Sequence, residues 1–330
     1  MVLGASLLDR PALTLRNGAV AAMIVLVLTP EALVTASFQM SFAATVALIS
    51  AYEALRASSA NRPERATPPW LGFIWRAAVG LVLTALIAGL ATGPFAAFHF
   101  NRVAVYGLVA NVAAMPLVSI LVMPAGLAAV CLMPFGLEAP ALVVMGLGIE
   151  GVLAVADTVS GWEGAVRMVP QMQMAVLLVI VSGGLWLTLW RGGIRLMGLP
   201  VIAAGLAATM LTAPPDLFIS RDVRMAALRT DGGLVFLPRA GSDYEVEVWQ
   251  RAAGVFPGAA GEERTICDKR ACVAAAGDLR VSYVIDPMAF AEDCRWANVI
   301  VTPLAPPDWC GGESEKLIMI GPHDAARWGA

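Results

Sequence analysis

Polar and apolar positions alternate in two different ways along the chain. Up to about residue 213 the apolar stretches are long and nearly unbroken; after it they are short and interrupted by turn residues. An apolar stretch of about 20 residues is what an α-helix needs to cross the hydrocarbon core of a bilayer. Seven such stretches appear: residues 18–34, 37–55, 77–98, 103–133, 139–159, 172–190 and 196–213. The fourth is too long for one straight span. Asn111, Pro116, Pro124 and Gly126 within it predict a broken, kinked or re-entrant path, tolerated where neighbouring protein or water re-satisfies the backbone. Beyond Pro214-Pro215 the runs shrink to residues 217–220, 234–237, 244–249, 279–285, 298–302 and 316–320, rich in Val, Ile and aromatics. Asp231-Gly232-Gly233, Ala240-Gly241-Ser242 and several prolines separate them as turn signals. The expected fold is a polytopic α-helical membrane protein of about seven spans over residues 1–213. A small β-rich soluble domain, α+β or a β-sandwich, follows over residues 214–330.

Composition narrows the class. With 58% hydrophobic and 14% charged residues in 330, and a mean hydropathy of +0.74, a wholly soluble protein is excluded. Residues 1–213 carry 10 Lys+Arg and 8 Asp+Glu; residues 214–330 carry 12 and 17, so the tail is acidic. Basic residues concentrate in short cytoplasmic loops. Arg56, Arg62, Arg65 and Arg76 stand against a single Glu64, which places that loop in the cytoplasm. With one crossing per stretch, Arg191 and Arg195 also fall inside, as do Arg10 and Arg16. The tail then lies in the periplasm of a bacterium with two membranes, and this sidedness flips if the fourth stretch crosses twice or not at all. The first 16 residues lack the layout of a signal peptide.

Cys131 lies within an apolar stretch, whereas Cys267, Cys272, Cys294 and Cys310 all lie in the tail, an even number that suits an oxidising compartment. Three pairings are open, the local one of Cys267 with Cys272 and Cys294 with Cys310 being preferred; four free thiols are the alternative. No CxxC spacing occurs and His323 is the tail's sole histidine, which argues against zinc.

The run SFQMSFAATVALIS, residues 37–50, places Ser37, Gln39, Ser41 and Thr45 inside an apolar span. Polar side chains in lipid turn toward other helices or a wet cavity, where transport paths are built. SFQMSFAAT resembles the SFQLSF signature of the ComEC-type competence family, through Ser37, Phe38, Gln39, Ser41 and Phe42, with Met40 in place of Leu. The segment NRVAVYGLVANVAAMPL, residues 101–117, is similar to a later membrane pattern of that family through Asn111, Ala114 and Pro116. The resemblance implies an inner-membrane channel passing single-stranded DNA into the cytoplasm during natural transformation. It further implies other competence and DNA-translocation proteins as partners, and admits a homo-oligomer. The resemblance covers the carboxy-terminal portion of that family, without its OB-like domain and first spans. The tail takes the place of a metallo-β-lactamase-like domain but has no His-x-His-x-Asp-His run, and is read as a degenerate remnant without nuclease activity, metal or cofactor.

A phosphate backbone needs a hydrated, preferably basic route through lipid. The candidates for it are Ser37, Gln39, Ser41, Asn101, Arg102, Asn111 and Pro116, with Arg102 at the outer mouth. Each also has a bland role, Ser and Thr as helix glue and Asn111 as a cap. Glu150 and Asp157, seven residues apart on one helix face, are the candidates for a different function, a proton-coupled small-solute transporter; the bland alternative is a helix lying at the interface. A third reading is an inactive fragment of a larger channel. Gly146, Gly148 and Gly151 fit GxGxxG without the strand such a motif requires, and Gly89 with Gly93 makes a helix-crossing GxxxG. His99, between Phe98 and Phe100, reads as an interfacial residue.

Overall fold

The computed structural model describes residues 14–59, 69–211, 214–230, 232–238, 243–256, 265–307, 309–310 and 317–328. Arg10, Arg62, Glu64 and Arg65 of the charge argument, and the turn residues Asp231 and Ala240-Gly241-Ser242, lie outside them. The chain forms two compact units: Met1–Arg167 with Gln173–Met210, and Met168–Met172 with Leu211–Ala330. The expected boundary at residues 213/214 thus lies three residues inside the second unit, which also takes a short piece from within the apolar half.

The first unit is helical. Its helices are α1 (Leu15–Leu28), α2 (Ala36–Ser59), α3 (Pro69–Phe100), α4 (Gly107–Leu117), α5 (Met123–Leu132), α6 (Ala139–Ser160), α7 (Met174–Leu189) and α8 (Gly198–Leu211). Two three-residue strands, β1 (Arg102–Ala104) and β2 (Val166–Met168), pair as a ribbon. Among the described residues, five segments are long and apolar enough to cross a membrane: Ala36–Arg56, Trp75–Phe100, Gly107–Phe135, Ala139–Ser160 and Gly193–Leu211. α1 and α7, at 14 and 16 residues, are apolar but shorter.

From Gly107 onward the fourth apolar stretch is continuously helical. After the ribbon strand it runs as one helical path from Gly107 to Phe135, with a π turn at Val118–Val122. Pro116 has no N–H for the carbonyl of Val112, and Pro124 none for that of Ile120. Between the two prolines the helix widens: the Met123 N–H bonds the Val118 carbonyl, five residues back.

Helices pair through bare glycines where backbones approach closely. α6 lies antiparallel to α4 and α5: a Cβ on Gly148 would sit 2.8 Å from Val122 Cγ2, and one on Gly151 3.2 Å from Leu117 Cδ1. α7 and α8 form a second antiparallel pair. A Cβ on Gly198 would meet the Gly183 carbonyl at 2.5 Å, and one on Gly205 would meet Ile180 Cγ1 at 2.5 Å. Gly198→Leu is therefore expected to force the pair apart, read as at least tenfold faster hydrogen exchange along α7 and α8 than in wild type. Unchanged exchange would show that the pair does not depend on this contact.

Polar contacts order the rest of this unit. The Tyr52 hydroxyl lies 2.5 Å from Thr84 Oγ1, tying α2 to α3, and Ser50 Oγ donates to the Thr188 carbonyl at 3.0 Å, tying α2 to α7. One turn on, Glu53 faces Arg191 at 3.7 Å. Such an exposed pair contributes about 0–1 kcal/mol, but it places the carboxyl ends of α2 and α7, with Arg56 and Arg191, at one end of the unit.

The second unit is an α+β sandwich. An antiparallel sheet of β3 (Leu217–Ile219), β4 (Ala226–Thr230) and β5 (Gly233–Leu237) packs on a mixed sheet in the order β10 (Ile318–Ile320), β9 (Val299–Val301), β8 (Leu279–Val284), β7 (Ala271–Ala276), β6 (Ile266–Cys267). Val223, Leu228, Leu237, Val281 and Val301, all fully buried, fill the space between the sheets. Helix α9 (Asp243–Ala252) covers the outer face of the first sheet through Trp249, Ala252 and Ala253; α10 (Phe290–Trp296) covers the second through Phe290; α11 (Pro322–Trp328) closes the unit. The run over residues 244–249, rich in Val and aromatics, predicts a strand. The segment is instead helical: Tyr244 and Val248 are exposed, and Trp249, Ala252 and Ala253 recur at helical spacing toward the sheet. The Glu247–Arg251 ion pair spans one helical turn.

Cys267 is bonded to Cys272, pinning β6 to β7, and Cys294 to Cys310, anchoring α10. Beneath α10, buried Ser282 donates to Asp293 Oδ2 at 2.9 Å. Burial raises the Asp293 carboxyl above its ordinary range, against the lowering effect of the Ser282 bond, with Glu292 and Asp268 adding to the rise. The folded unit therefore favours the protonated acid. Its contribution to stability is present below the unfolded value, about 3.9, and declines as pH rises from there through the folded value. Asp293→Asn is expected to remove this decline. The difference between wild-type and variant melting temperatures, followed from pH 4 to 8, measures it; a flat difference would contradict the assignment.

Candidate functional site

Polar side chains of the first unit gather where α2 begins and α3 ends. Thr35 precedes α2, its Oγ1 accepting from the Phe38 N–H at 3.4 Å, so Gln39 falls one turn into the helix. Gln39 Nε2 donates to the Leu33 carbonyl at 2.9 Å, which closes the turn Pro30–Val34 against the helix start. With the amide nitrogen so engaged, Gln39 Oε1 faces His99 Nε2 at 2.7 Å. That bond requires the Nε2–H tautomer or the imidazolium, because the amide oxygen only accepts. His99 stands in the last turn of α3, edge-on to Phe98 at 5.0 Å between ring centroids.

Two residues on, Asn101 ends α3. Its φ of 53° is left-handed, which Asn tolerates better than most residues, and its N–H returns to the Ala97 carbonyl at 3.1 Å. Its side-chain Nδ2 is buried without a hydrogen-bond partner. The exposed Arg102 follows in β1. At the start of α4 the Tyr106 hydroxyl donates to the Glu163 carbonyl, and its ring meets Trp162 edge-on at 5.2 Å. Leu33, Gln39, His99, Asn101 and Arg102 thus follow one another through contact and chain continuity around a single polar corner.

The remaining candidates are not drawn into it. Ser37 and Ser41 are exposed on the outer side of α2. Asn111 is exposed on α4, turned away from the helix face of Val109 and Ala113. Those two residues, with Ala154, Val155, Thr158, Val159 and Trp162, line a groove of about 350 Å³ between α4 and α6. Its walls are apolar, and its one hydroxyl, that of Thr158, already bonds the Ala154 carbonyl at 2.7 Å. Pro116 acts through the π turn that follows it. Glu150 and Asp157 are both exposed, on the side of α6 opposite to Gly148 and Val155, which face α4 and α5. His99 was missed as a site residue: alone between two phenylalanines it has the pattern of an interfacial side chain, and nothing in its neighbours points to Gln39, sixty residues away.

A family model described as Competence protein matches residues 1–193, more than half of the chain. The chain belongs to the competence protein family. The match takes in α1 to α7 of this competence-family protein and ends before α8, so it includes the whole polar corner and none of the sandwich after residue 211. No match was found among curated proteins or among solved structures. Among the described residues, no group of three or more His, Cys, Asp or Glu side chains is placed to hold a metal ion.

Proposed function

We propose that this competence-family protein sits in the bacterial inner membrane and forms part of the route by which single-stranded DNA reaches the cytoplasm. The observation that carries the reading is the hydrogen bond between Gln39 of the SFQMSF run and His99 at the end of α3, both in the region matched by the family. Amide, imidazole and guanidinium groups at one helix end give phosphates and base edges something to exchange for water. In this reading α1 and α7 complete seven crossings, aided by flanking residues or local thinning of the bilayer. The gathering of Arg56 and Arg191 at one end of the unit supports placing that end in the cytoplasm. The soluble unit is then periplasmic, where its two disulfides suit the compartment. It serves without nuclease chemistry, as a degenerate metallo-β-lactamase-like remnant, and other DNA-translocation proteins supply the energy.

The test is internalisation of labelled DNA by the source bacterium. Deletion is expected to leave DNA stalled outside the inner membrane, and the full chain supplied in trans to restore entry. Unchanged internalisation in the deletion would refute the reading. The second reading, a proton-coupled transporter of small solutes, has one observation in its favour: Glu150 and Asp157 share a helix face on which no partner for either stands among the described residues. It would be the one to pursue after that outcome.

A further inference from the structure

The groove between α4 and α6 lies where α4 begins and α6 ends. Its walls are apolar and its hydroxyl is already engaged, so it offers a small polar solute nothing to bond. Past its inner end the two helices close on each other, where a Cβ on Gly151 would sit 3.2 Å from Leu117 Cδ1. Between Ala154 and Ser160 the groove follows about 9 Å of α6, against a hydrocarbon core of about 30 Å. It is too short to seat a spanning helix, and its depth is that of part of one leaflet.

The outer end of the groove is a polar rim. Trp162 stands there, 44% exposed, its ring edge-on to that of Tyr106 at 5.2 Å, and the Tyr106 hydroxyl donates to the Glu163 carbonyl at 3.4 Å. Paired aromatic side chains of this kind sit at the level of lipid headgroups. The groove therefore runs inward from that level. Beside the pair, the Val105 N–H donates to the Ala165 carbonyl at 3.0 Å. Arg102 stands three residues before Val105 and Arg167 two residues after Ala165. Both are exposed, and neither has a hydrogen bond or an ion pair among the described residues. The indole N–H of Trp162 likewise has no acceptor among them. The exposed Glu163 offsets one of the two guanidinium charges, which leaves these three side chains at a net charge of +1.

We propose that the α4–α6 groove holds one acyl chain of an anionic phospholipid, with the lipid phosphate at Arg102 and Arg167 and the Trp162 indole N–H donating to it. A slot that is apolar throughout and cationic at one end matches the polarity of an amphiphile with an anionic head. Guanidinium groups present a planar fork that suits phosphate oxygens, and basic pockets between membrane helices take anionic headgroups. Arg102 then meets a lipid phosphate before it meets any cargo. The inference stands on the groove and its rim and does not depend on DNA being that cargo, nor on which side of the membrane the rim faces.

Native mass spectrometry of the full chain, titrated with phosphatidylglycerol or with phosphatidylcholine carrying the same chains, tests it. Wild type is expected to retain the first phosphatidylglycerol about fivefold more strongly than phosphatidylcholine, the effect of one net positive charge at a membrane surface. In the double substitution Arg102→Ala with Arg167→Ala the preference is expected to vanish while both lipids still bind. Ala113→Phe, which puts a ring into the groove, is expected to lower retention of the first lipid of either kind severalfold, with unchanged hydrogen exchange at residues 148–151 reporting intact packing of α6. Equal retention of the two lipids by wild type would overturn the proposal, and so would a first lipid that Ala113→Phe leaves in place. A wild-type dimer that dissociates in Ala113→Phe would assign the groove to a second copy of the chain instead. Should Ala113→Phe fail to fold, the arginine pair decides: a preference that outlasts both arginines refutes the site.

Discussion

Replacing Gln39 by leucine is expected to lower DNA internalisation about tenfold while the protein stays at its normal level in the membrane. The substitution removes two hydrogen bonds at once, to the Leu33 carbonyl and to His99 Nε2. The Leu33 carbonyl and the imidazole each lose their partner, at about 1–2 kcal/mol for the corner; 1.4 kcal/mol is a factor of ten. The long apolar helices α2 and α3 hold their mutual packing elsewhere, at Tyr52 and Thr84, so the chain still folds and inserts. His99→Leu is expected to have the same effect. The double variant should be no worse than Gln39→Leu alone, which already breaks both bonds. Ser41→Ala, on the exposed side of α2, is the control and should be neutral. Uptake at the wild-type rate in Gln39→Leu, with normal membrane level, would show that the corner does not serve passage.

The second large effect belongs to the second, sandwich unit. Phe290 is 1% exposed and is packed with Ala271, Val284 and Ile300 beneath α10. Truncation to alanine removes a large buried ring and leaves a cavity, at a cost of about 3–5 kcal/mol. The Cys294–Cys310 bond closes a loop of sequence separation 16 over the same cluster. Its removal by a double alanine substitution is expected to cost about 3 kcal/mol through the entropy of the unfolded chain. The two changes touch one cluster and are expected to be non-additive. Thermal unfolding of the full chain, followed through protection of β8 and β9 amides, measures both; a loss below about 1 kcal/mol for Phe290→Ala would mean that α10 does not cap a cooperative core.

Much of the helical unit was legible because hydropathy over 20 residues is a strong signal, and five of the seven apolar stretches contain segments long enough to span. α1 and α7 come out shorter than their apolar runs because residues 30–34 form a separate 3₁₀ turn and α7 starts only at Met174, after the extended Gln173. Proline spacing marked the irregularity in the fourth stretch but not its form, since a π turn and a break use the same residues. In the sandwich, β4 and β7 escaped notice because they are rich in alanine, the residue that suits a strand squeezed between layers: Ala226 and Ala227 are fully buried. Helix α9 was misread because Tyr244, Val246, Val248 and Trp249 have the composition of a strand, while its inward residues fall in its last turns and beyond its carboxyl end. The number of cysteines left three pairings open, and the preferred local one is the pairing observed. The Gln39–His99 pair was invisible because it joins residues sixty positions apart through a single contact that no periodicity announces.

The spans bury little of themselves. Between 11% and 17% of the residues in each span's most apolar window are shielded by the rest of the protein, whereas the sandwich holds many side chains with no exposure at all. The two halves of one polypeptide are therefore held together in different ways. The first owes much of its integrity to the lipid or detergent wrapped around it, so a change of amphiphile acts on it directly. The second carries its own solvent inside, and a thiol reductant is the reagent that reaches its weak point. A preparation that looks well folded by one criterion can have lost the half that the other reports.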